Sequence, residues 1–403
     1  MSDFGDEDRT YAGGDTVTEV TSRSWFSRIG SSLTGMLLGP VVVFFAIGLL
    51  FWNEGRAVDT ARSLEEGAGL VVSVPATAVD PTREGRLVHV AGPVVAPERL
   101  RDRAYGIESD GLRLVRRVEV FQWKETSHSE TRKKLGGSEE TVTTHAYALD
   151  WTDRPVDGSA FKQPDGHRNP PVSVQGDTVS QSRVQIGAFA LTPQQIAQIG
   201  AVRPRPVEAS EEAAIRRAVG PSTAFRIADG RLHLGFDPAR PRLGDVRISW
   251  DVAATPDATV VARQSGAGFT AFPTSNGRTI EILRSGTVGA DQIFADAESG
   301  NTILTWGLRI VGILLMTMGF SMVLGPLSVL ADVVPFIGDL IGGASGLVAF
   351  AAACLVGSVT IAIAWFAHRP LLALAVLAIG IAVAVGVRRL AGNRRPAAPA
   401  AAA

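Results

Sequence analysis

Glu54 and Arg56 stand two residues apart at the end of a long apolar stretch, and no charged residue occurs between Ile29 and Trp52. Around them the chain reads Phe51-Trp52-Asn53-Glu54-Gly55-Arg56-Ala57. An acid, an amide and a guanidinium beside an interfacial tryptophan can anchor a membrane helix or dock a partner. Three further charges, Arg309, Asp332 and Asp339, are the only Asp, Glu, Lys or Arg between Thr302 and His368. An ionisable side chain inside a membrane segment is a functional position by default, as part of an ion path or proton relay. Arg309 is expected within two turns of the boundary, where it can snorkel to the interface. Asp332 and Asp339 are expected in a connection, solvated or capping a helix.

The third group with chemical potential is the loop Gly166-His167-Arg168-Asn169-Pro170-Pro171. Asn-Pro and Pro-Pro bias the chain toward extended turn geometry, so a rigid turn is expected, with a binding or hydrolytic role for His167 as the alternative. His89, His128, His145, His167 and His233 are scattered without ligand spacing. The glycine pair in Leu135-Gly136-Gly137-Ser138 signals a two-residue hairpin turn, a register that sets His128 opposite His145. Two histidines are too few for a metal site. The sequence has no G-x-S-x-G elbow, no H-E-x-x-H helix and no glycine followed by lysine for a phosphate loop. No enzymatic activity, cofactor or metal is expected.

These residues are positioned by two kinds of segment. The 403-residue chain is 46% hydrophobic, but its apolar residues concentrate at 33–52 and 303–387. A bilayer core of ~30 Å needs about 20 apolar residues in helix. The expected architecture is therefore a multi-pass membrane protein with four transmembrane helices, at 29–52, 303–328, 345–366 and 371–387. The one N-terminal and three C-terminal helices flank a large β-rich α+β extracytoplasmic domain, 53–300. Residues 1–28 are expected as a disordered acidic cytoplasmic tail, and 388–403 as a basic, then Ala/Pro-rich, cytoplasmic tail. Arg388, Arg389, Arg394 and Arg395 after the last span point to a cytoplasmic C-terminus by the positive-inside rule. Four spans return the N-terminus to that side. Small residues recur at helical spacing at Gly35 and Gly39, and at Gly338, Gly342 and Gly346, where helices can approach closely within the chain or between copies.

The net charge of −1 gives no sign of nucleic-acid binding. The single cysteine, Cys354, excludes an intrachain disulfide. Arginine far outnumbers lysine, which occurs only at Lys124, Lys133, Lys134 and Lys162. With the alanine, valine and glycine content this suggests a bacterial chain of the cytoplasmic membrane. In 53–300, strands are expected at 117–124 and 141–147 around the Gly-Gly turn, and at 86–90, 184–190, 231–236, 246–252, 259–263 and 279–283. A helix is expected after the capping box Thr192-Pro193-Gln194-Gln195, and another from Ser210 to Gly220.

Leu50-Phe51-Trp52-Asn53-Glu54-Gly55-Arg56-Ala57 after a single span resembles the transmembrane protein 43 family, also called LUMA. The likeness continues through Val118–Trp123, Gly166–Pro171, Gly187-Ala188-Phe189, Asn301–Trp306 with Arg309, Trp365-Phe366 and Arg369-Pro370-Leu371. It covers about 30–390 with the same one-plus-three arrangement of spans. The resemblance implies a non-enzymatic protein that organises or scaffolds membrane complexes, partly by self-association. The implied partners are the lipid bilayer, further copies of the chain, and other membrane or envelope proteins. A channel or lipid-handling protein using the C-terminal helices is the alternative, with Arg309, Asp332 and Asp339 as its residues.

Overall fold

In the computed structural model, residues 8–13 and 15–368 are described. They divide into two compact units. One is β-rich and holds the N-terminal strands, Ser63–Lys134 and Ser138–Ala297; the other is helical and holds Phe26–Arg62, Leu135–Gly137 and the chain from Glu298 on.

The β-rich unit is built on a nine-stranded and a seven-stranded sheet among the described residues. The larger is organised by a long hairpin, Arg113–Lys133 and Glu139–Thr152. Its strands are rich in β-branched and aromatic residues, which suit a pleated, half-buried surface. Val246–Ala253 pairs with the first of them, and below it Trp250, Leu114, Ile248 and Leu232 are buried in one core. The smaller sheet centres on Leu87–Val95 and Asp257–Ser265, with Val88, Val90, Val260 and Phe269 in a second core. The expected strands are present, although 184–190 and 279–283 are each broken into two short strands. The capping box at Thr192 forms as read: its hydroxyl accepts from Gln195 N–H, and the Gln195 side chain accepts from Thr192 N–H. Gly220 closes the helix Glu212–Val219 at φ 85°, a conformation that costs glycine little.

The helical unit contains three helices long and apolar enough to cross a membrane: Trp25–Leu70, Ala290–Ala331 and Pro335–His368. Ala46, Leu50, Met316 and Ala353 form its buried centre. The first and second helices touch where glycines face each other. A Cβ at Gly39 would lie 2.5 Å from the Gly319 carbonyl oxygen, and one at Gly319 would lie 2.8 Å from that of Gly39.

Several expectations are corrected. The first 28 residues are not a disordered tail throughout, because Thr16–Arg23 is a strand paired with 139–146 of the long hairpin. Glu19 holds it there, 2.8 Å from Lys162 Nζ. The first helix continues through Asn53-Glu54-Gly55-Arg56 to Leu70, so the motif lies within a helix and not at its end. The 331–339 connection shrinks to 332–334, because Pro335 starts the third helix, a position where its missing N–H costs nothing. Gly338 and Asp339 thus belong to that helix. The hairpin register is also shifted by one: His128 faces Thr144, and Ser127 faces His145. Pairing stops at Lys133–Glu139, so five residues, not two, make the turn, and the two histidines point to opposite faces. The expected span at 371–387 and the tail at 388–403 lie outside the described residues.

Candidate functional site

The charged motif is assembled by helical spacing. Asn53 and Arg56 are three residues apart on the first helix, while Asn301, Thr305 and Arg309 recur every fourth residue on the second. In each helix these positions fall on one face, so two polar stripes meet within otherwise apolar surfaces. Asn53 and Glu54 are buried, whereas Trp52 on the opposite face is exposed.

Glu54 is the centre of the cluster. Its Oε1 accepts from Arg309 Nε at 2.7 Å and its Oε2 from Arg309 Nη2 at 2.8 Å. Trp365 Nε1 of the third helix donates to the same Oε2 at 2.8 Å. A bidentate guanidinium–carboxylate pair is among the strongest hydrogen-bonded contacts in proteins, and here a third helix is tied in. Arg309 also lies over the Trp306 ring, 4.7 Å from its centroid.

A second layer closes beside it. Asn53 Nδ2 donates to the Thr305 carbonyl at 3.1 Å. Arg56 donates to Asn301 Oδ1 and Thr305 Oγ1, each at 2.9 Å, and to Asn53 Oδ1 at 3.2 Å. Asn301 Nδ2 returns a bond to the Ala57 carbonyl at 3.0 Å. Gly55 admits the third helix, since a Cβ there would stand 2.8 Å from the His368 ring. A cavity of about 180 Å³ adjoins the pair, with Glu54, Glu298, Trp306, Arg309 and Trp365 in its lining.

A second buried ion pair stands at the other end of the same helices. Asp332, expected to be solvated, is buried and bonded to Arg28 Nη2 at 2.5 Å. Arg28 Nη1 also donates to the Gly137 carbonyl at 2.5 Å, and Gly136 N–H donates to the Val333 carbonyl at 3.1 Å. The hairpin tip is thereby fastened where the second helix ends. Asp339 is exposed. Of the small residues read as packing faces, Gly39 contacts Gly319, and a Cβ on Gly338 would overlap the Asp332 carboxylate. Gly35 and Gly342 have room, and among the described residues a Cβ at Gly346 meets nothing within 4 Å.

The Gly166–Pro171 loop is architectural. Asn169 Oδ1 accepts from Trp123 N–H at 2.7 Å while Nδ2 donates to the carbonyls of Trp123 and Val156, both at 3.0 Å. One side-chain amide thus completes the backbone bonding of a strand. His167 is buried, stacked on Tyr147 at 4.1 Å and edge-on to Trp123 at 4.7 Å. Pro170 packs near Gly244. Asn169→Ala takes this partner from three part-buried backbone groups, each worth up to about 1–3 kcal/mol. The expected result is unfolding at lower denaturant, with Asn169→Asp intermediate. Unfolding at the wild-type midpoint would show the amide to be dispensable.

The other histidines serve separate contacts: His145 Nδ1 meets Glu125 at 2.8 Å, and His89 Nε2 meets the Val288 carbonyl at 2.8 Å. His233 is held below its ordinary pKa, first by burial and then by Arg247 and Arg231. Among the described residues, no three His, Cys, Asp or Glu side chains are placed to hold a metal. Sequence reasoning missed Trp365, Asn301 and Thr305 as partners of Glu54 and Arg56, and Arg28 as the partner of Asp332. The four-residue spacing from Asn301 to Arg309 was the available signal for the first group. Also unforeseen is Asp102, buried in the β-rich unit between Arg116 at 2.7 Å and Trp250 Nε1 at 2.9 Å.

The family described as Transmembrane protein 43 matches residues 120–370. The rat protein Transmembrane protein 43 is 32% identical over 367 residues, covering 88% of this chain and 90% of its own. The human protein of that name is 31% identical over 377 residues, covering 91% and 92%. The Drosophila homolog is 27% identical over 358 residues, covering 84% and 90%. No solved structure matches.

Proposed function

The chain belongs to the transmembrane protein 43 family, and on that premise we propose that it is a non-enzymatic integral membrane protein that organises or scaffolds membrane complexes through self-association. The supporting observation is the commitment of Asn53, Glu54, Arg56, Arg309 and Trp365 to one another and to helix carbonyls. Charges spent on joining three helices build a rigid platform, and the outward faces of those helices remain apolar. The arginine-rich composition supports a bacterial cytoplasmic membrane as its site, with envelope proteins as partners.

The second reading, a channel or lipid-handling protein, rests on the cavity beside Glu54. It is the weaker reading, because Arg309 and Asp332 each sit in a buried ion pair and offer no charge to a permeant ion.

Among the described residues nothing lies within 4 Å of a Cβ placed on Gly346, which serves as the test position. Gly346→Leu is expected to cut co-purification of two differently tagged copies several-fold while the unfolding midpoint stays unchanged. Gly39→Leu, by contrast, overpacks the Gly319 crossing and costs about 1–3 kcal/mol of stability. Full recovery of the tagged partner with Gly346→Leu would remove self-association through this face.

A further inference from the structure

The contacts between the helices do not consume every polar group around Glu54. The cavity of about 180 Å³ beside it is lined by all three helices, and every lining residue belongs to the helical unit. Glu298, Thr302, Thr305 and Arg309 line it from the second helix. They recur at intervals of three or four residues, so they form one column along that helix. Thr305 is buried, and its hydroxyl is held by Arg56 and the Asn301 carbonyl. Glu298 and Thr302 are exposed, and neither side chain makes a hydrogen bond among the described residues. Arg309 gives Nε and Nη2 to Glu54, and its Nη1 has no partner among the described residues. The column thus offers an acceptor at one end, a hydroxyl between, and a guanidinium N–H at the other.

Depth and dimensions narrow the ligand. Glu298 is the last charged residue before Arg309 as the chain enters its apolar stretch. Trp306 and Trp365 line the cavity and are exposed, as tryptophan is at the headgroup level of a bilayer. Ile303, Ile310 and Leu314 are also exposed on the second helix, an apolar bed for acyl chains. At ~30 Å³ per water the volume equals about six waters, which suits a headgroup and is too small for the chains. From Glu298 to Arg309 the helix rises about 16 Å, at 1.5 Å per residue. Arg309 returns one turn of that by lying over Trp306, which leaves about 11 Å. That is the reach of a phosphate joined through two carbons to an amine, with a hydrogen bond at each end.

Charge separates the remaining candidates. The lining holds two carboxylates, Glu54 and Glu298, against one guanidinium, Arg309. It opposes an anionic headgroup, whereas a zwitterion can set its cation at Glu298 and its phosphate at Arg309. A carboxylate accepts hydrogen bonds, which an ammonium can donate and a trimethylammonium cannot.

We infer that this cavity binds the headgroup of a phosphatidylethanolamine-type lipid, with its ammonium on Glu298 and its phosphate on Arg309 Nη1 and the Thr302 hydroxyl. The inference gives the cavity of the second reading a resident ligand, and it requires neither transport nor self-association. The test is native mass spectrometry of the full chain in detergent, titrated with short-chain phosphatidylethanolamine, phosphatidylcholine, phosphatidylglycerol or soluble phosphoethanolamine. Phosphatidylethanolamine is expected to bind most tightly. Glu298→Gln should weaken it about tenfold, the effect of losing a hydrogen bond to a charged group. The unfolding midpoint should stay at the wild-type value, because Glu298 is exposed. Equal binding by wild type and Glu298→Gln, or tighter binding of phosphatidylglycerol, would overturn the site. Phosphatidylcholine binding as tightly would overturn the ammonium assignment, and soluble phosphoethanolamine binding as tightly would replace the lipid with a free solute. Failure of self-association in the Gly346→Leu experiment leaves these outcomes untouched, since Gly346 is not in the lining.

Discussion

Replacing Glu54 with alanine is expected to lower the unfolding free energy by about 3–5 kcal/mol, the cost of leaving a buried charge without its counter-ion. The side chain of Glu54 is 2% exposed and that of Arg309 14%, so losing the carboxylate leaves a guanidinium largely withdrawn from water. Arg309→Met is expected to be comparably damaging, because among the described residues it leaves the carboxylate with Trp365 Nε1 as its one remaining side-chain donor. The double variant Glu54→Leu/Arg309→Met should recover much of the loss, since apolar replacement of a whole buried pair is often near neutral. Equilibrium unfolding of the four proteins in one detergent closes the cycle and isolates the coupling between the two residues. Single variants within about 1 kcal/mol of wild type would class the contact with solvated surface pairs and remove its architectural role.

Asp332→Ala is the second large expected effect, again about 3–5 kcal/mol, because Arg28 is then left in a buried site without the carboxylate. The Arg28 and Asp332 side chains are 8% and 1% exposed. A global measurement would not separate this from general damage, so the hairpin tip supplies the specific readout. Amide exchange at Gly136 should accelerate, since its N–H bonds to Val333 beside Asp332 and local opening sets exchange rates. Unchanged exchange at the tip in Asp332→Ala would mean that the ion pair does not fasten the hairpin.

These two pairs also mark the limit of what local pattern conveys. Arg309 was read as a snorkelling anchor and Asp332 as a solvated cap, and both readings treat a charge by its depth in an apolar run. The partners lie 255 and 304 residues away in the chain, and no spacing rule links residues so far apart. The same holds for the N-terminal tail. Its acidic composition suggested disorder, yet Thr16-Val17-Thr18-Glu19-Val20-Thr21 is rich in β-branched residues, and the hairpin edge supplied the missing partner. The one-residue register shift had a different origin. A Gly-Gly pair is compatible with a two-residue turn, but the tip bonds of Gly136 and Gly137 hold a longer one.

By itself the sequence determined the features that depend on neighbouring residues: the long apolar helices, most strands, the capping box at Thr192 and the helix stop at Gly220. These follow from side-chain periodicity and local hydrogen bonding, which act over a few residues. Tertiary structure decided which charges are buried and with whom they pair. A carboxylate beside a membrane segment can be hydrated, capping or ion-paired with little difference in local sequence. Only the packing of three helices, closed at Gly39 against Gly319 and at Gly55 against His368, removes water from Glu54 and brings Arg309 and Trp365 to it.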